Sequence, residues 1–261
     1  MKPPRFDYVR PESVEEALAV LSEHGDDAKV LAGGQSFVPM LNMRLASPAV
    51  VVDVNRLRGL CEIVDEALGV KVGALVRQAQ TESSPVVQGH CPMLAECLPY
   101  VGHFVTRNRG TVGGSIAHAD AKAELPLALL TTGGAAVAAS VRGTRAIFVD
   151  DLLVTHFTTS LEPDELLVEI RWGTPPGTWG YAFEEFALRR GDYALAMAAC
   201  ALRVENGKVH TARVAIAGPC DRPSVIQGGA LLVGETVTAE LARVVCEAAR
   251  SEVEPVDSLH A

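Results

Sequence analysis

The residues of this 261-residue chain best suited to chemistry are two glycine pairs, each followed by a hydroxyl side chain. They are Leu31-Ala32-Gly33-Gly34-Gln35-Ser36 and Gly110-Thr111-Val112-Gly113-Gly114-Ser115. Glycine has no Cβ, so its backbone can take positive φ and press against another molecule. Successive amides bared in such a turn form a cup for an anion such as phosphate. A single Gly-Gly step usually marks only a turn. Two in one chain suit two grips on one diphosphate-bearing ligand.

The first pair follows the apolar run Lys29-Val30-Leu31-Ala32 and precedes a helical pattern from Phe37, so Ser36 is placed to cap that helix. A helix N-terminus attracts phosphate through its free N–H groups and partial positive charge. Without a ligand, the same residues would be a plain capped strand–helix turn. No G-x-G-x-x-G follows a strand and no G-x-x-x-x-G-K-[ST] is present, which argues against Rossmann and P-loop sites.

Gly113-Gly114-Ser115-Ile116-Ala117 nearly matches the G-x-S-x-G nucleophile elbow, with His118 and Asp120 nearby. That elbow needs an apolar strand feeding the serine. Here the feeder Thr106-Arg107-Asn108-Arg109-Gly110 is polar, and His118 and Asp120 follow too closely to complete a triad. His103, His118 and Asp120 lack a zinc spacing, and such residues in polar loops commonly make local hydrogen bonds. Glu124 lies ten positions beyond Gly114, where the chain turns into a helix. There it can accept from ribose hydroxyls, or simply sit as a favourable carboxylate in a helix first turn. Tyr193, in Arg189-Arg190-Gly191-Asp192-Tyr193, can lie over a planar ring or merely pack at a strand start.

Composition narrows the classes. Hydrophobic residues make up 48% of the chain, enough for a sizeable core, whereas aromatics make up only 5% and the net charge is −9. Nucleic-acid phosphates need clustered Lys and Arg, and single strands need ring platforms. Both are lacking. The N-terminus has no signal-like apolar core, and the run from Leu125 to Ala139 is interrupted well short of the ~20 residues that span a bilayer. The six cysteines form no C-x-x-C pair and are expected to stay buried thiols in a cytoplasmic protein.

The positioning elements follow from pattern. Phe6–Val9 reads as a strand, then Ser13 and Glu16 form a capping box for a helix that stops at Gly25. Adding the strands at 29–32 and 50–54 and the helix at 37–44 gives a small strand–helix–strand–helix–strand unit, with the Val50–Val54 run suited to a parallel sheet. Strands at 70–75, 135–141, 145–149 and 166–171, with helices at 93–101 and 124–130, make a larger unit. Thr174-Pro175-Pro176-Gly177 is the strongest linker signal. Strands at 193–205 and 208–217 flank the hairpin dipeptide Asn206-Gly207, and helical patterns at 224–233 and 238–250 follow.

Together, Ala32-Gly33-Gly34-Gln35-Ser36, Arg109 to Ser115, Ala119-Asp120-Ala121-Lys122-Ala123-Glu124-Leu125-Pro126 and Arg190-Gly191-Asp192-Tyr193 resemble the FAD-binding medium subunit of molybdenum hydroxylases. The nearest types are carbon monoxide dehydrogenase and N-heterocycle dehydrogenases such as quinoline 2-oxidoreductase. The resemblance spans essentially the whole chain. It implies an α+β protein with a two-part FAD-binding domain at 1–175, subdomains about 1–56 and 57–175, and an α+β C-terminal domain at 178–261. It further implies that residues 31–36 and 110–115 hold the FAD diphosphate, with Ala117 adjoining them. Val101 and Gly102 would approach the cofactor, Glu124 the ribose, Leu166 or Leu167 the flavin, and Tyr193 the isoalloxazine. Electrons would come one at a time from [2Fe–2S] clusters on a small subunit, drawn from a molybdenum centre on a large one. They would leave through the flavin to a quinone, dioxygen or another acceptor. A dimer of such heterotrimers is expected, with no metal on this chain and no residue here acting on the organic substrate. A standalone flavoenzyme and an assembly protein without FAD are the competing readings.

Three departures stand out. Ser115 replaces an Asn found in many relatives, and Glu185 stands where some carry a Lys near the flavin. Relatives also continue into an Arg-rich terminal helix where this sequence stops at Ala261, so either the sequence is incomplete or the protein lacks that helix.

Overall fold

The computed structural model describes residues 2–173 and 177–255. The linker tripeptide Thr174-Pro175-Pro176 lies outside them, as do residues 256–261. The chain begins with β1 (Asp7–Val9), α1 (Val14–His24), β2 (Ala28–Leu31), α2 (Phe37–Met43) and β3 (Val50–Asp53). The strands form a parallel sheet in the order β1-β3-β2, as the valine run predicts, and the central β3 is buried along its length. Ser13 caps α1, its Oγ accepting from the Glu16 amide at 3.1 Å. Glu16 reaches back to the Glu12 amide, one residue earlier than a capping box requires. Gly25, at φ +49°, ends the helix as expected. Ala17, Leu18 and Leu21 of α1 pack on β3, and the same core takes in Leu75, Ala139 and Leu166 of the next unit.

That unit runs through β4 (Ile63–Glu66), β5 (Gly69–Gly73), α3 (Gln78–Glu82), α4 (Pro85–His90), α5 (Pro92–Cys97), α6 (Phe104–Arg107), α7 (Val112–His118) and α8 (Glu124–Thr132). It closes with β6 (Ala135–Ser140), β7 (Gly143–Phe148), α9 (Val149–Leu152), β8 (Leu153–Thr155), β9 (Thr158–Thr159) and β10 (Leu166–Gly173). Neighbours in the five-stranded sheet β4-β5-β10-β6-β7 are antiparallel, and the last strand in sequence lies at its centre. The helix expected over 93–101 divides. Pro99 cannot donate to a preceding carbonyl, and the chain tightens from α5 into a 3₁₀ turn at Leu98–Tyr100.

The final unit contains β11 (Trp179–Phe186), β12 (Ala196–Glu205), β13 (Lys208–Ala217), β14 (Ser224–Val225) and α10 (Ala239–Glu252). The four strands form an antiparallel sheet in sequence order. Asn206 and Gly207 turn the β12–β13 hairpin at φ +52° and +76°, as read from sequence. Two expectations fail here. The strand expected from Tyr193 begins at Ala196, so Tyr193 lies in a loop. The helix expected over 224–233 is instead β14 followed by a 3₁₀ turn at Gln227–Leu232. Val225 pairs with Ala215, and the amides of Gln227 and Gly228 donate to the Glu252 carboxylate, which draws this segment away from a regular helix.

β13 rests on α8, where Arg213 Nε donates to the Leu130 carbonyl at 2.6 Å, and the Gly218 amide donates to Ala121 O at 3.0 Å. The cysteines are free thiols, but only Cys91 and Cys97 are buried. Cys61, Cys200 and Cys220 are half-buried and Cys246 is exposed, against the expectation that all would be enclosed.

Candidate functional site

The first glycine segment leaves the end of β2, beside the end of β3, and enters α2. Gly34 turns it at φ +72°, a region that L side chains rarely adopt. Gly33 is required for a different reason. A Cβ there would collide with the Arg109 carbonyl oxygen and lie 2.8 Å from the Gly110 Cα. The two glycine segments, far apart in sequence, are therefore pressed together at Gly33. Among the described residues, none of the backbone amides from Ala32 to Phe37 donates to the chain. Ser36 does not cap α2; its own backbone is already helical and its hydroxyl accepts no capping bond. No side chain caps α2; its Val38 and Met40 amides donate to the Gly34 and Ser36 carbonyls at 3.1 Å, and the bare amides are those of the loop and Phe37.

The second segment is built differently. Gly113, Gly114 and Ser115 lie inside α7 rather than in a turn. The capping hydroxyl is that of Thr111, which accepts from the Gly114 amide at 3.0 Å, and not that of Ser115. Four further amides are engaged: Gly110 with Thr106 O at 2.7 Å, Val112 with Val76 O at 3.0 Å, Gly113 with Ala74 O at 2.9 Å, and Ser115 with Thr111 O at 3.1 Å. This corrects the expectation of a second amide cup. The segment docks on the stretch after β5 through Val112 and Gly113, and local bonds take up the Gly110, Gly114 and Ser115 amides. It offers instead a wall against Gly33 and the half-buried backbone and hydroxyl of Gly114 and Ser115. Ala117, one turn further along α7, is exposed.

A polar network joins the two segments, and the sequence reading did not anticipate it. Arg77 donates through Nη1 to the Arg109 carbonyl and through Nη2 to Asn55 Oδ1 at 2.7 Å. Asn55 Nδ2 donates to Ala32 O at 2.8 Å. Behind it, Asp53 accepts from the Asn55 amide at 3.0 Å and from the Tyr8 hydroxyl. The Arg77 backbone also bridges to Thr111. Burial first, then the Arg109 charge, pull Arg77 below the ordinary arginine pKa, the mark of a partly desolvated cation. One sequence signal was available: Asp53 and Asn55 sit at the carboxyl end of the central parallel strand, where open α/β sheets collect ligands.

Glu124 is the first residue of α8 and is buried, 7% exposed. Desolvation is the leading cause that raises its pKa to about 8, reinforced by the charges of Glu185 and Asp120 and opposed by its own backbone amide and by Arg107. At neutral pH it is mostly protonated, so it can donate one hydrogen bond as well as accept. Glu185 on β11 is shifted up to about 7 by desolvation, and one of its carboxylate oxygens is buried without a partner. The Arg189–Tyr193 loop rests on the Val101–His103 corner, where a Cβ on Gly191 would lie 3.0 Å from Gly102 O. Val101 is buried, Gly102 is at φ +48°, and Arg107 Nη1 donates to both their carbonyls. Tyr193 is 66% exposed, yet partial burial and then the Asp120 and Glu124 charges raise its phenol pKa. Leu166 and Leu167 belong to separate cores on the two sides of β10, at 4% and 6% exposure.

Two hollows of about 520 and 220 Å³ lie elsewhere, beside Cys61 and beside Arg142. The glycine segments line neither hollow and meet as a cradle at Gly33. An extended diphosphate ligand such as FAD fits the residues present: a run of bare amides and a half-buried guanidinium at the cradle, and a buried, mostly neutral carboxyl at the start of α8. His118 and His156 bracket the Phe157 ring at 4.6 and 3.7 Å, and the Ala121 amide donates to His156, so these histidines are held by local packing.

Residues 4–172 match the family described as the FAD binding domain in molybdopterin dehydrogenase, and residues 181–261 match the CO dehydrogenase flavoprotein C-terminal domain. The chain is 42% identical to the 6-hydroxypseudooxynicotine dehydrogenase complex subunit alpha of Paenarthrobacter nicotinovorans, over 100% of this chain and 88% of that one. A carbon monoxide dehydrogenase chain from Hydrogenophaga pseudoflava superposes with a TM-score of 0.96 at 35% identity, covering 100% of this chain and 91% of that chain. A chain of quinoline 2-oxidoreductase from Pseudomonas putida 86 gives 0.94 at 37% identity, with the same coverage. The chain belongs to the FAD-binding medium subunits of the molybdenum hydroxylases and is an oxidoreductase subunit.

Proposed function

We propose that this chain holds FAD in an extended pose across both glycine segments and serves as the electron-transfer subunit of a cytoplasmic molybdenum hydroxylase complex. Electrons arrive from [2Fe–2S] clusters on a small subunit, fed by a molybdenum-bearing large subunit, and leave to an external acceptor. The complex is a dimer of heterotrimers. Residues 1–175 form the flavin domain and 178–261 the C-terminal domain. When bound, FAD supplies redox chemistry that no side chain has, and the protein's part is to bind, orient and tune it.

The observation that carries this reading is the run of bare amides from Ala32 to Phe37, closed on one side by Arg109 and Gly110. In this arrangement the amides of Gly33, Gly34, Gln35 and Ser36 take phosphate oxygens, and Leu31 and Ala32 set the entry of the loop. On the facing segment, Gly110, Thr111, Gly113 and Gly114 allow close approach, and Ser115 and Ala117 line the way. Val101 and Gly102 close the cleft, and protonated Glu124 exchanges hydrogen bonds with the ribose. Leu166 or Leu167 supports the flavin from the core, and Tyr193 covers the ring.

The purified chain should show a flavin visible spectrum and bind FAD far more tightly than riboflavin, which lacks the diphosphate. Gly33→Val should abolish that preference, because its side chain would occupy the space of the Arg109 carbonyl. A wild-type chain that takes up no added FAD, or binds riboflavin equally well, sinks the proposal.

A further inference from the structure

We propose that Arg77 and Asn55 form a clamp that sets the separation of the two glycine segments, and so act as positioning residues for FAD affinity. The inference rests on the FAD-binding reading above. The clamp is continuous: Arg109 O accepts from Arg77, Asn55 Oδ1 accepts from Arg77 at 2.7 Å, and Ala32 O accepts from Asn55 at 2.8 Å. One end therefore grips the residue before Gly33, and the other grips the residue before Gly110. These are the two backbones that meet at Gly33, where there is no room for a Cβ.

A guanidinium suits this task because its fixed fork reaches two acceptors at once, which an ammonium cannot match. Its anchor is also fixed. The Arg77 backbone is bridged to Thr111 on one side, and Asn55 is tied to Asp53, which the Tyr8 hydroxyl and Arg10 hold from β1 and its following residue. Among the described residues Arg77 makes no ion pair with a carboxylate. A half-buried cation beside bare amides, in a chain of net charge −9, adds positive potential where a diphosphate would lie.

The test is a double-mutant cycle on FAD affinity in the full chain, with Arg77→Met, Asn55→Ala and the double variant. If the two residues act as one unit, each single variant loses about tenfold and the double loses about the same tenfold rather than a hundredfold. Arg77→Lys keeps the charge but loses the fork, and should recover less than half of the logarithmic loss. Urea midpoints of the flavin-free chains should move far less than FAD affinity. Additive losses, full rescue by Lys, or affinities within twofold of wild type overturn the clamp. Should Arg77→Met fail to fold, Arg77→Lys with Asn55→Ala completes the same cycle. A wild-type chain without FAD affinity would instead sink the underlying reading, so the two failures are told apart.

Discussion

Glu124 has the most informative titration in the site. Its pKa stands at about 8 in the fold against an ordinary 4.5, with desolvation as the leading cause. As pH rises, the unfolded chain ionises first while the folded chain keeps its proton. The stability tied to this group is therefore full below pH 4.5, declines through neutrality, and is lost above about 8. Urea midpoints of the flavin-free protein at pH 5 and pH 8 should fall for wild type and fall much less for Glu124→Gln, a difference of order a few kcal/mol. An equally steep fall in Glu124→Gln would assign the loss to another group, with Glu185 next in line because its carboxyl is raised to about 7. The neutral state also bears on the ligand. Gln can donate and accept much as a protonated Glu does, so Glu124→Gln should bind FAD nearly as well as wild type.

At the scale of elements, α7 depends on a cap that the sequence pattern hid. Two adjacent glycines cost a helix about 1 kcal/mol each relative to alanine, which is why the second glycine segment reads as a turn. The fold overrides that preference with bonds from Val112 and Gly113 to the stretch after β5, and with the Thr111 hydroxyl on Gly114. Thr111→Val keeps the branched shape and removes the cap, at about 1 kcal/mol, or roughly 2–4 °C in a protein of this size. Thr111→Ser should unfold near the wild-type temperature. Equal losses for Val and Ser in thermal unfolding of the flavin-free chain would show that packing, not the cap, holds this turn. The same logic explains what was legible. The βαβαβ unit and the hairpin at Asn206-Gly207 follow from local chemistry, and the structure has them. The strand β4 and the strand β11 were missed because they are half-exposed and carry acidic residues. The network through Asp53, Asn55 and Arg77 escaped because, apart from the local Asp53–Asn55 pair, its bonds join residues 22 or more positions apart, beyond the reach of any local pattern.

At the scale of the whole molecule, the question is what this chain does alone. Its cysteines are scattered between core and surface, and among the described residues no three His, Cys, Asp or Glu side chains gather as a metal-binding group. The hollows beside Cys61 and Arg142 are lined by neither the glycine segments nor Glu124, Glu185 and Asp120. A chain that serves as an electron-transfer subunit should hold FAD yet oxidise no organic substrate by itself. The isolated protein should therefore bind FAD, lose its visible absorbance with dithionite, and keep it with small organic substrates. Co-expression with an iron–sulfur subunit and a molybdenum subunit should give a complex in which substrate bleaches the flavin. A stable contact of that kind buries at least about 1,000 Å², so the subunits should elute together on gel filtration. Catalytic-rate bleaching of the isolated chain by a small organic substrate would replace the subunit reading with that of a self-contained flavoenzyme.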